Sequence, residues 1–379
     1  MTVLHISRPV DGGVARVVAD LVEAQTRGGV RVAVACPEGG TLAAAAAARG
    51  AEVHPWRAGR APGLSVVHET RQLARLVRRI APDLVHAHSA KAGLAARLAL
   101  RGRVPTVYQP HAWSFEAVEG LTARAARGWE RYAARWTARV ICVSEAERRT
   151  GERAGIDACW TVVHNGVDLG HFRPLDSARA RAALPLTAGL PRSAPLVVCV
   201  GRLCRQKGQD VLLRAWPRVT DRMPRARLVL VGDGPDAGRL RAAAGPSVLF
   251  AGAVPDTAPW YRAADLVVLP SRWEGMALAP LEAMACGRAV VVSDVDGARE
   301  SLPPGHAPIC LTPPGDHLAL AGVLTELLLN TPLRATLGRR ARQHVLTTHD
   351  VRQTAGAVAD VYRELAAVPH PECRERIHQ

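Results

Sequence analysis

The chain has 379 residues, 48% of them hydrophobic and 22% charged, a composition that excludes a disordered or fibrous protein and favours one or two globular domains. A formal net charge of +15 suggests nucleic acid or an anionic membrane, but the basic residues are spread along the chain, so nucleic acid is not expected as a partner. No eighteen-residue apolar run occurs, and polar residues interrupt the first apolar stretch, so we expect neither a membrane-spanning helix nor a secretory signal.

Short apolar runs alternate with longer amphipathic segments along the chain. The first runs predict strands at Val3–Ile6, Arg31–Ala35, Leu84–Ala87, Thr106–Gln109 and Val140–Val143. A second series predicts strands at Leu196–Val200, Leu228–Val231, Val248–Phe250, Leu266–Leu269 and Ala289–Val292. Helices are predicted at Val14–Arg27, Ser65–Ile80, Gly208–Trp216 and Pro280–Cys286. Because many strands are continuously apolar, we expect parallel sheets with helices on both faces.

The alternation of strands and helices stops once, in a segment rich in proline and glycine. This predicts an α/β protein of two doubly wound, Rossmann-like domains facing across a cleft. Residues 1–170 form the N-terminal domain, 171–194 a linker, and 195–349 the C-terminal domain.

The eight cysteines form no C-x-x-C pair, and several lie within predicted strands. We therefore expect buried free thiols in a reducing, cytoplasmic environment and no zinc site.

Ligands of open parallel sheets bind beyond the carboxyl ends of the strands, so the residues that follow each strand are candidates. Gly12 and Gly13 follow the first strand and precede a helix, an arrangement that suits an anion but also an ordinary turn. Arg202 and Lys207 follow the strand Leu196–Val200. Only two of the 49 basic residues are lysines, which favours a diphosphate-binding role for Lys207 over that of a solvated surface charge.

Two carboxylates follow the predicted strand Leu266–Leu269. Pro280 suits the first turn of a helix, which places Glu282 in that turn and Glu274 on the loop before it. Together they could accept hydrogen bonds from sugar hydroxyls on either side of a phosphate. Taken singly, Glu274 could be an exposed loop acid and Glu282 a carboxylate at a helix start.

Three histidines and two aspartates are weaker candidates. His111 follows the strand Thr106–Gln109, where it could face a ligand or be structural. His86 and His88 share one face of a strand, but no third metal ligand is evident, so we interpret them either as structural or as supporting the residues that contact a ligand. Asp294 and Asp296 are typical of a turn before a glycine rather than of a metal site.

With these residues identified, the chain resembles glycosyltransferase family 4, retaining nucleotide-sugar transferases with the GT-B fold. The resemblance covers nearly the whole chain. It depends on Gly12-Gly13, Pro82–Ser89, His111, Val143-Ser144-Glu145, His164–Asp168, Gly201–Leu203, Lys207-Gly208, Val231–Pro235 and Glu274-x7-Glu282.

The resemblance implies a role for each matching residue. Arg202 and Lys207 would hold the donor diphosphate, Glu282 the ribose and Glu274 the sugar hydroxyls. His111 would lie beside the sugar, and the remaining donor contacts would come from Gly13, Val254, Gly275, Met276, Ala277 and Leu278. The family usually shows Gly-Phe-Gly-Leu after the first glutamate, whereas this chain has Gly275-Met-Ala-Leu, and alanine lacks the conformational freedom of glycine.

The implied reaction is retaining transfer of a sugar from a UDP- or GDP-sugar to a hydroxyl acceptor, with no metal and no cofactor. In the family's fold, a C-terminal helix at about 350–367 packs back on the first domain. The sequence around Lys91 and His111 is similar to transferases of bacterial exopolysaccharide, capsule or cell-surface glycan assembly. A basic, aromatic segment at 121–140 suits peripheral contact with the inner face of a membrane and a lipid-linked acceptor.

Alternatives remain open. The acceptor could be a soluble small molecule or natural product, and segment 121–140 an ordinary surface helix. A GT-B epimerase would use other catalytic carboxylates, and a nicotinamide oxidoreductase would need a glycine fingerprint that Gly232–Gly238 does not provide.

Overall fold

The computed structural model describes residues 1–59, 63, 65–191 and 193–367. The chain divides into two units, one formed by Met1–Asn165 together with the residues from Arg352 on, and the other by Gly166–Val351. Each unit is built on one parallel sheet with helical connections, which confirms the predicted α/β architecture of two doubly wound domains.

The first unit contains a seven-stranded sheet in the order β3-β2-β1-β4-β5-β6-β7. Its strands are β1 (Thr2–Ser7), β2 (Arg31–Cys36), β3 (Glu52–Pro55), β4 (Leu84–His88), β5 (Thr106–Gln109), β6 (Arg139–Cys142) and β7 (Trp160–Val162). Its helices are α1 (Gly12–Arg27), α2 (Leu42–Ala48), α3 (Ser65–Ile80), α4 (Ser89–Leu100), α5 (Gly120–Ala134) and α6 (Glu145–Arg153).

The strand order of the first unit reverses between β1 and β4. The chain runs from β1 outward to β3, then returns to β4 on the other side of β1. At such a switch point the loops after the two strands diverge and leave a crevice for a ligand. The register places His5 opposite His86 and Ser7 opposite His88, so polar residues of β1 and β4 are side by side.

The second unit contains a six-stranded sheet in the order β10-β9-β8-β11-β12-β13. Its strands are β8 (Leu196–Val200), β9 (Arg227–Val231), β10 (Val248–Gly252), β11 (Leu266–Leu269), β12 (Ala289–Ser293) and β13 (Leu311–Thr312). Its helices are α7 (Ser177–Ala182), α8 (Gln209–Arg222), α9 (Ala237–Ala243), α10 (Ala258–Ala263), α11 (Leu278–Ala285), α12 (Ala298–Ser301), α13 (Ala307–Cys310), α14 (His317–Leu329) and α15 (Thr331–Thr348). The switch point lies between β8 and β11.

The two places where the chain changes unit differ from the predicted boundaries. The chain leaves the first unit after Asn165, and residues 171–194, predicted as a linker, belong to the second unit. Within that segment α7 packs on α10, and Arg181 pairs with Asp265 at 2.6 Å. The final helix α16 (Val351–Ala367) belongs almost wholly to the first unit, where Tyr362 contacts His86 and Glu364 pairs with Arg139.

The cores of both units rest on small aliphatic residues, as the low aromatic content requires. Six of the seven described cysteines are buried, while Cys373 lies outside the described residues. Among the described helices, none is both long and apolar enough to cross a membrane.

Candidate functional site

Lys207 and Glu274 meet at the switch point of the second unit. Lys207 ends a short 3-10 turn, Arg205–Lys207, after β8, and Glu274 lies on the loop after β11, the neighbouring strand. The Nζ of Lys207 lies 2.5 Å from Oε1 of Glu274. That same oxygen accepts a hydrogen bond from the Ser271 hydroxyl at 2.7 Å. The structure thus brings a residue predicted to bind phosphate into contact with a residue predicted to bind sugar.

The loops after β8 and β11 are joined by contacts that the sequence analysis did not identify. Arg272 makes a two-point ion pair with Asp210 at 2.8 and 2.7 Å, and its backbone amide donates to the carbonyl of Gln206 at 2.8 Å. The Gln206 side chain donates in turn to the carbonyl of Trp273 at 3.1 Å. The hydrogen bond from Arg272 lowers the pKa of Asp210, so the pair is charged at neutral pH. These contacts hold both loops before any ligand binds.

Glycine at position 208 permits this close approach. Gly208 has a φ of +67°, and a Cβ there would lie 1.9 Å from the carbonyl oxygen of Pro270. The loop after β12 is held in the same manner, because a Cβ on Gly297 would lie 1.9 Å from the carbonyl oxygen of Gly275. Three neighbouring loops therefore touch through their backbones, which fixes the position of Glu274.

Glu282 lies deeper in α11 than the sequence analysis predicted. The helix begins at Leu278 rather than at Pro280, so Glu282 lies beyond the first turn, and its placement in that turn was wrong. It is therefore not a helix-start carboxylate. Its Oε2 accepts a hydrogen bond from the Tyr261 hydroxyl at 2.7 Å, while the side chain stays 6% exposed. The hydrogen bond from Tyr261 compensates part of the free-energy cost of burying this carboxylate.

The residues between the two glutamates adopt ordinary backbone geometry. Ala277 has a φ of −71°, a value open to any residue, so alanine in place of the family's glycine introduces no strain here. Met276 and Leu278 are buried, and Ala277 is half-buried. A small cavity of about 20 Å³ lies beside them, lined by Ser271, Glu274, Ala277 and Pro280 among others.

The other residues of the second unit that were predicted to bind the sugar donor lie on loops after its strands. Arg202 is exposed just after β8, and its carbonyl accepts a hydrogen bond from the Gln209 side chain at 3.1 Å. Val254 is half-buried after β10. Gly13 and His111 belong to the first unit, where Gly13 is exposed in the first turn of α1.

His111 lies on a strained loop after β5. Its φ is +58°, and that of Ala112 is +127°, a value that residues with a Cβ rarely adopt. Glu147, wholly buried at the start of α6, holds this loop. One carboxylate oxygen accepts from the amide of Ala112 and the other from the amide of Val143, each at 2.7 Å. Backbone strain of this kind concentrates at functional sites, and Glu147 is a positioning residue that sequence reasoning missed.

Three buried histidines lie together at the switch point of the first unit. The ring nitrogens of His5, His86 and His88 lie within 4.8 Å of one another, so His5 supplies the third member that the sequence did not make evident. Among the described residues this is the group whose spacing would fit a metal ion. Hydrogen bonds already engage both ring nitrogens of His5 and of His88, so the arrangement does not require one.

Lys91, the other of the chain's two lysines, forms a structural ion pair inside the first unit. It is 7% exposed on α4, and its Nζ lies 2.8 Å from Oε2 of Glu69 on α3. Burial alone would raise the pKa of Glu69, but hydrogen bonds from Lys91 and from the amide of Gly59 lower it. The buried pair ties α3 to α4.

The basic, aromatic segment predicted at 121–140 is a helix only in part. Helix α5 ends at Ala134, and Arg139 lies on strand β6. On α5, Leu121 is 79% exposed and Tyr132 is 46% exposed, and Arg135 stacks 3.7 Å from the Tyr132 ring. Arg124 and Arg127 are also exposed. The structure therefore presents an exposed surface on α5 that combines apolar, aromatic and cationic side chains.

Two family models match the chain. One, described as Glycosyltransferase Family 4, matches residues 11–171, and the other, described as Glycosyl transferases group 1, matches residues 194–330. Together they cover every strand of the two sheets except β1.

Curated relatives give the same result. The chain is 34% identical over 228 residues to the lipopolysaccharide core biosynthesis mannosyltransferase LpcC of Rhizobium leguminosarum, a match that covers 57% of this chain and 63% of that protein. It is 32% identical over 288 residues to D-inositol 3-phosphate glycosyltransferase 1 of Catenulispora acidiphila, covering 69% of this chain and 68% of the relative. The chain thus spans less than two thirds of the first relative's length and slightly more than two thirds of the second's.

A solved structure agrees in fold. HepE of Anabaena, determined in complex with UDP-glucose, superposes with a TM-score of 0.83 at 23% identity, covering 96% of this chain and all of that one. This likeness extends over both sheets and confirms the GT-B fold expected from the sequence. With two family models over its two units and a relative matched over most of its length, the chain belongs to glycosyltransferase family 4.

Proposed function

We propose that the protein is a retaining glycosyltransferase that moves a sugar from a nucleoside diphosphate sugar to a hydroxyl acceptor. The observation that carries this is the contact between Lys207 and Glu274, at 2.5 Å, on two loops held rigidly at a switch point. A cation and a sugar-binding carboxylate side by side match a substrate in which a diphosphate is joined to a sugar.

The chemistry follows from the charge that develops. Breaking the bond between sugar and phosphate leaves an oxocarbenium-like sugar and a diphosphate with additional negative charge. Arg202, Lys207 and the backbone amides at the start of α11 would stabilise that anion. Glu274 would hold sugar hydroxyls, and Glu282 would hold the ribose. The chain's own cations thereby do what a divalent metal does in other transferases, so the proposal includes neither metal nor cofactor.

Retention of configuration is part of the proposal. The departing phosphate oxygen would accept the acceptor's proton, with attack on the face that the diphosphate leaves. In this proposal no carboxylate acts as a nucleophile: Glu274, which pairs with Lys207, and Glu282, which pairs with Tyr261, are both binding groups. HepE was solved with UDP-glucose, and LpcC is named a mannosyltransferase, which supports UDP- and GDP-sugars as the donors to test first.

The acceptor proposed is a hydroxyl on a lipid-linked glycan in cell-surface polysaccharide assembly. Two of the relatives are named for lipopolysaccharide core biosynthesis. The exposed face of α5, with Arg124, Arg127, Leu121 and Tyr132, suits a protein that works on the inner surface of an anionic membrane.

The donor is tested by thermal shift against a set of UDP-, GDP- and ADP-sugars, because a ligand that binds the native state raises its melting temperature. The donor so found is then incubated with acceptor fractions, and the anomeric configuration of the product is read by NMR. Retention supports the proposal, and inversion contradicts it. A donor sugar that is epimerised, with no transfer, would identify an epimerase instead.

Membrane contact is tested separately by flotation with vesicles of anionic and of neutral lipids. We expect binding to anionic vesicles only, weakened by about 1 kcal/mol for each arginine removed in Arg124→Gln and Arg127→Gln. Arg149→Gln, an exposed arginine on α6, is the matched control. Equal recovery with neutral vesicles, or no effect of the α5 variants, contradicts this part of the proposal.

A further inference from the structure

A continuous row of hydrogen-bonded side chains runs from His111 into the core of the first unit. The Nε2 of His111 lies 3.1 Å from Nδ1 of His88, and Nε2 of His88 lies 2.9 Å from Nδ1 of His5. The Nε2 of His5 lies 2.8 Å from Oε1 of Gln25, on α1. These four residues, the histidine row, come from β1, α1, β4 and the loop after β5. Of these four residues, the resemblance to the family gives a role only to His111, beside the donor sugar.

All three rings of the row are neutral at physiological pH. Burial lowers the pKa of His5 to about 4 and that of His111 to about 3. Burial, together with the neighbouring imidazoles, lowers the pKa of His88 well below its usual range. A neutral imidazole carries one proton, so one ring nitrogen donates and the other accepts. The protons of the row must therefore all point in one direction.

Gln25 sets that direction. Its carbonyl oxygen can only accept, so Nε2 of His5 carries the proton and Nδ1 of His5 accepts. His88 then donates from Nε2 and accepts at Nδ1, which leaves His111 donating from Nε2. The remaining nitrogen of His111, Nδ1, is consequently an acceptor.

His86 lies beside the row and packs against His88, with ring centroids 4.0 Å apart. Its Nδ1 lies 2.6 Å from the hydroxyl oxygen of Tyr362, on α16. The row itself ends at Gln25, and its direction follows from the Gln25 carbonyl oxygen that faces His5.

We propose that Gln25, His5 and His88 are positioning residues that hold His111 as its Nε2–H tautomer, so that Nδ1 accepts a hydrogen bond from a hydroxyl of a sugar ligand. This rests on the proposed function for the identity of the ligand, but the tautomer itself is a property of the free protein. Without the row, His111 would divide between two tautomers, and only one of them can accept at Nδ1.

The tautomer is measured directly by NMR of the protein labelled with ¹⁵N-histidine, where protonated and bare ring nitrogens have well separated shifts. His111→Asn assigns the resonances. We expect Nε2 of His111 to be protonated and Nδ1 to be bare, with no titration down to about pH 5, since the pKa of His111 lies far below that.

Variants of His88 separate positioning from packing. His88→Leu removes the acceptor for His111, whereas His88→Asn keeps an acceptor at the place of Nδ1. We expect His88→Leu to mix the tautomers of His111 and to lower kcat about tenfold, as for one lost hydrogen bond, with the donor KM nearly unchanged. His88→Asn should keep a single tautomer of His111 and a kcat close to that of the wild type. His54→Leu, a buried histidine of the same sheet outside the row, is the control and should change neither.

Three results would overturn the proposal: a proton on Nδ1 of His111 in the wild-type protein, a His88→Leu variant with unchanged shifts and kinetics, or stoichiometric zinc bound to His5, His86 and His88 in the purified protein. Failure of the proposed function has a different signature. In that case no nucleotide sugar is turned over, while the NMR result for the free protein is unaffected.

Discussion

The Nζ of Lys207 lies 2.5 Å from Oε1 of Glu274, although 67 residues separate them in the sequence. The sheet explains the contact, since β8 and β11 are neighbours and their loops are joined by Arg272 and Asp210. A lysine ammonium has three donors, so pairing with one carboxylate leaves two for phosphate oxygens. Glu274 therefore orients Lys207 without using up its capacity to bind a diphosphate.

Replacing Lys207 should remove transfer while leaving the fold intact. The Lys207→Met variant keeps the aliphatic stem but loses the charge that stabilises the leaving diphosphate, a loss of about 10²- to 10³-fold in kcat. Steady-state transfer with the donor found by thermal shift measures it. Arg214→Ala, an exposed arginine on α8, is the control and should retain full activity. Wild-type rates in Lys207→Met would remove the assignment of this site.

The backbone contact at Gly208 should be intolerant of a side chain. In Gly208→Ala the new Cβ would meet the Pro270 carbonyl oxygen, at a φ of +67° that alanine disfavours. We expect a loss of about 1–3 kcal/mol in unfolding free energy, measured by urea denaturation, together with weaker donor binding. Gly238→Ala, on α9 with nothing within 4 Å of the new Cβ, should instead stabilise by about 0.5–1 kcal/mol. If the two variants behave alike, the contact does not hold the loop.

The buried carboxylate of Glu147 should be essential for the loop that carries His111. Glu147→Gln turns an amide group toward the backbone N–H of Ala112 or Val143, leaving a buried donor unpaired at a loss of about 1–3 kcal/mol. Chemical denaturation and the histidine NMR shifts would both report the change. Glu152→Gln, exposed on the same helix, should change stability by less than about 0.5 kcal/mol.

Stability should fall in mild acid because His5 is buried as a neutral ring. Its pKa is lowered from 6.5 to about 4, so between these values the unfolded chain binds a proton that the native protein does not. Unfolding free energy therefore decreases as the pH falls through this window, by up to about 1.4 kcal/mol per pH unit for this group, and above it His5 contributes no pH dependence. Urea denaturation at several pH values gives the slope. In His5→Gln, the slope of unfolding free energy against pH should be smaller, by the amount that corresponds to uptake of about one proton.

Transfer should survive the removal of divalent metals. Lys207 and Arg202 supply the positive charge in the proposed reaction, so dialysis against EDTA should leave kcat unchanged. The measurement is the transfer rate before and after EDTA, with Mg²⁺ and Mn²⁺ added back. Strict dependence on either ion would assign the leaving-group charge to a metal.

The interior strands were predictable because they are buried on both faces and many of them are continuous apolar runs, as β8 shows at Leu196–Val200. Three strands were missed, and all of them lie at sheet edges: β3, β7 and β13. An edge strand has only one neighbour and is less buried, so its sequence carries polar residues such as Glu52 and lacks the apolar signal.

The site was predictable in its residues more than in its geometry. The loops after β8 and β11 could be identified from glycine and charge alone, but not the ties made by Gln206 and Asp210, which depend on the strand order. His5 went unrecognised because its partner, His86, is fixed by the β1–β4 register, and nothing local to β1 reveals it.

The assignment of α16 to the first unit has a consequence for biosynthesis. The first unit is interrupted by all of Gly166–Val351, so a ribosome that has completed β7 must make nearly two hundred further residues before Tyr362 emerges. Until then the hydroxyl that contacts His86 is missing. The nascent protein would complete the surroundings of His86 only near the end of translation, and a chain truncated before α16 would lack this contact.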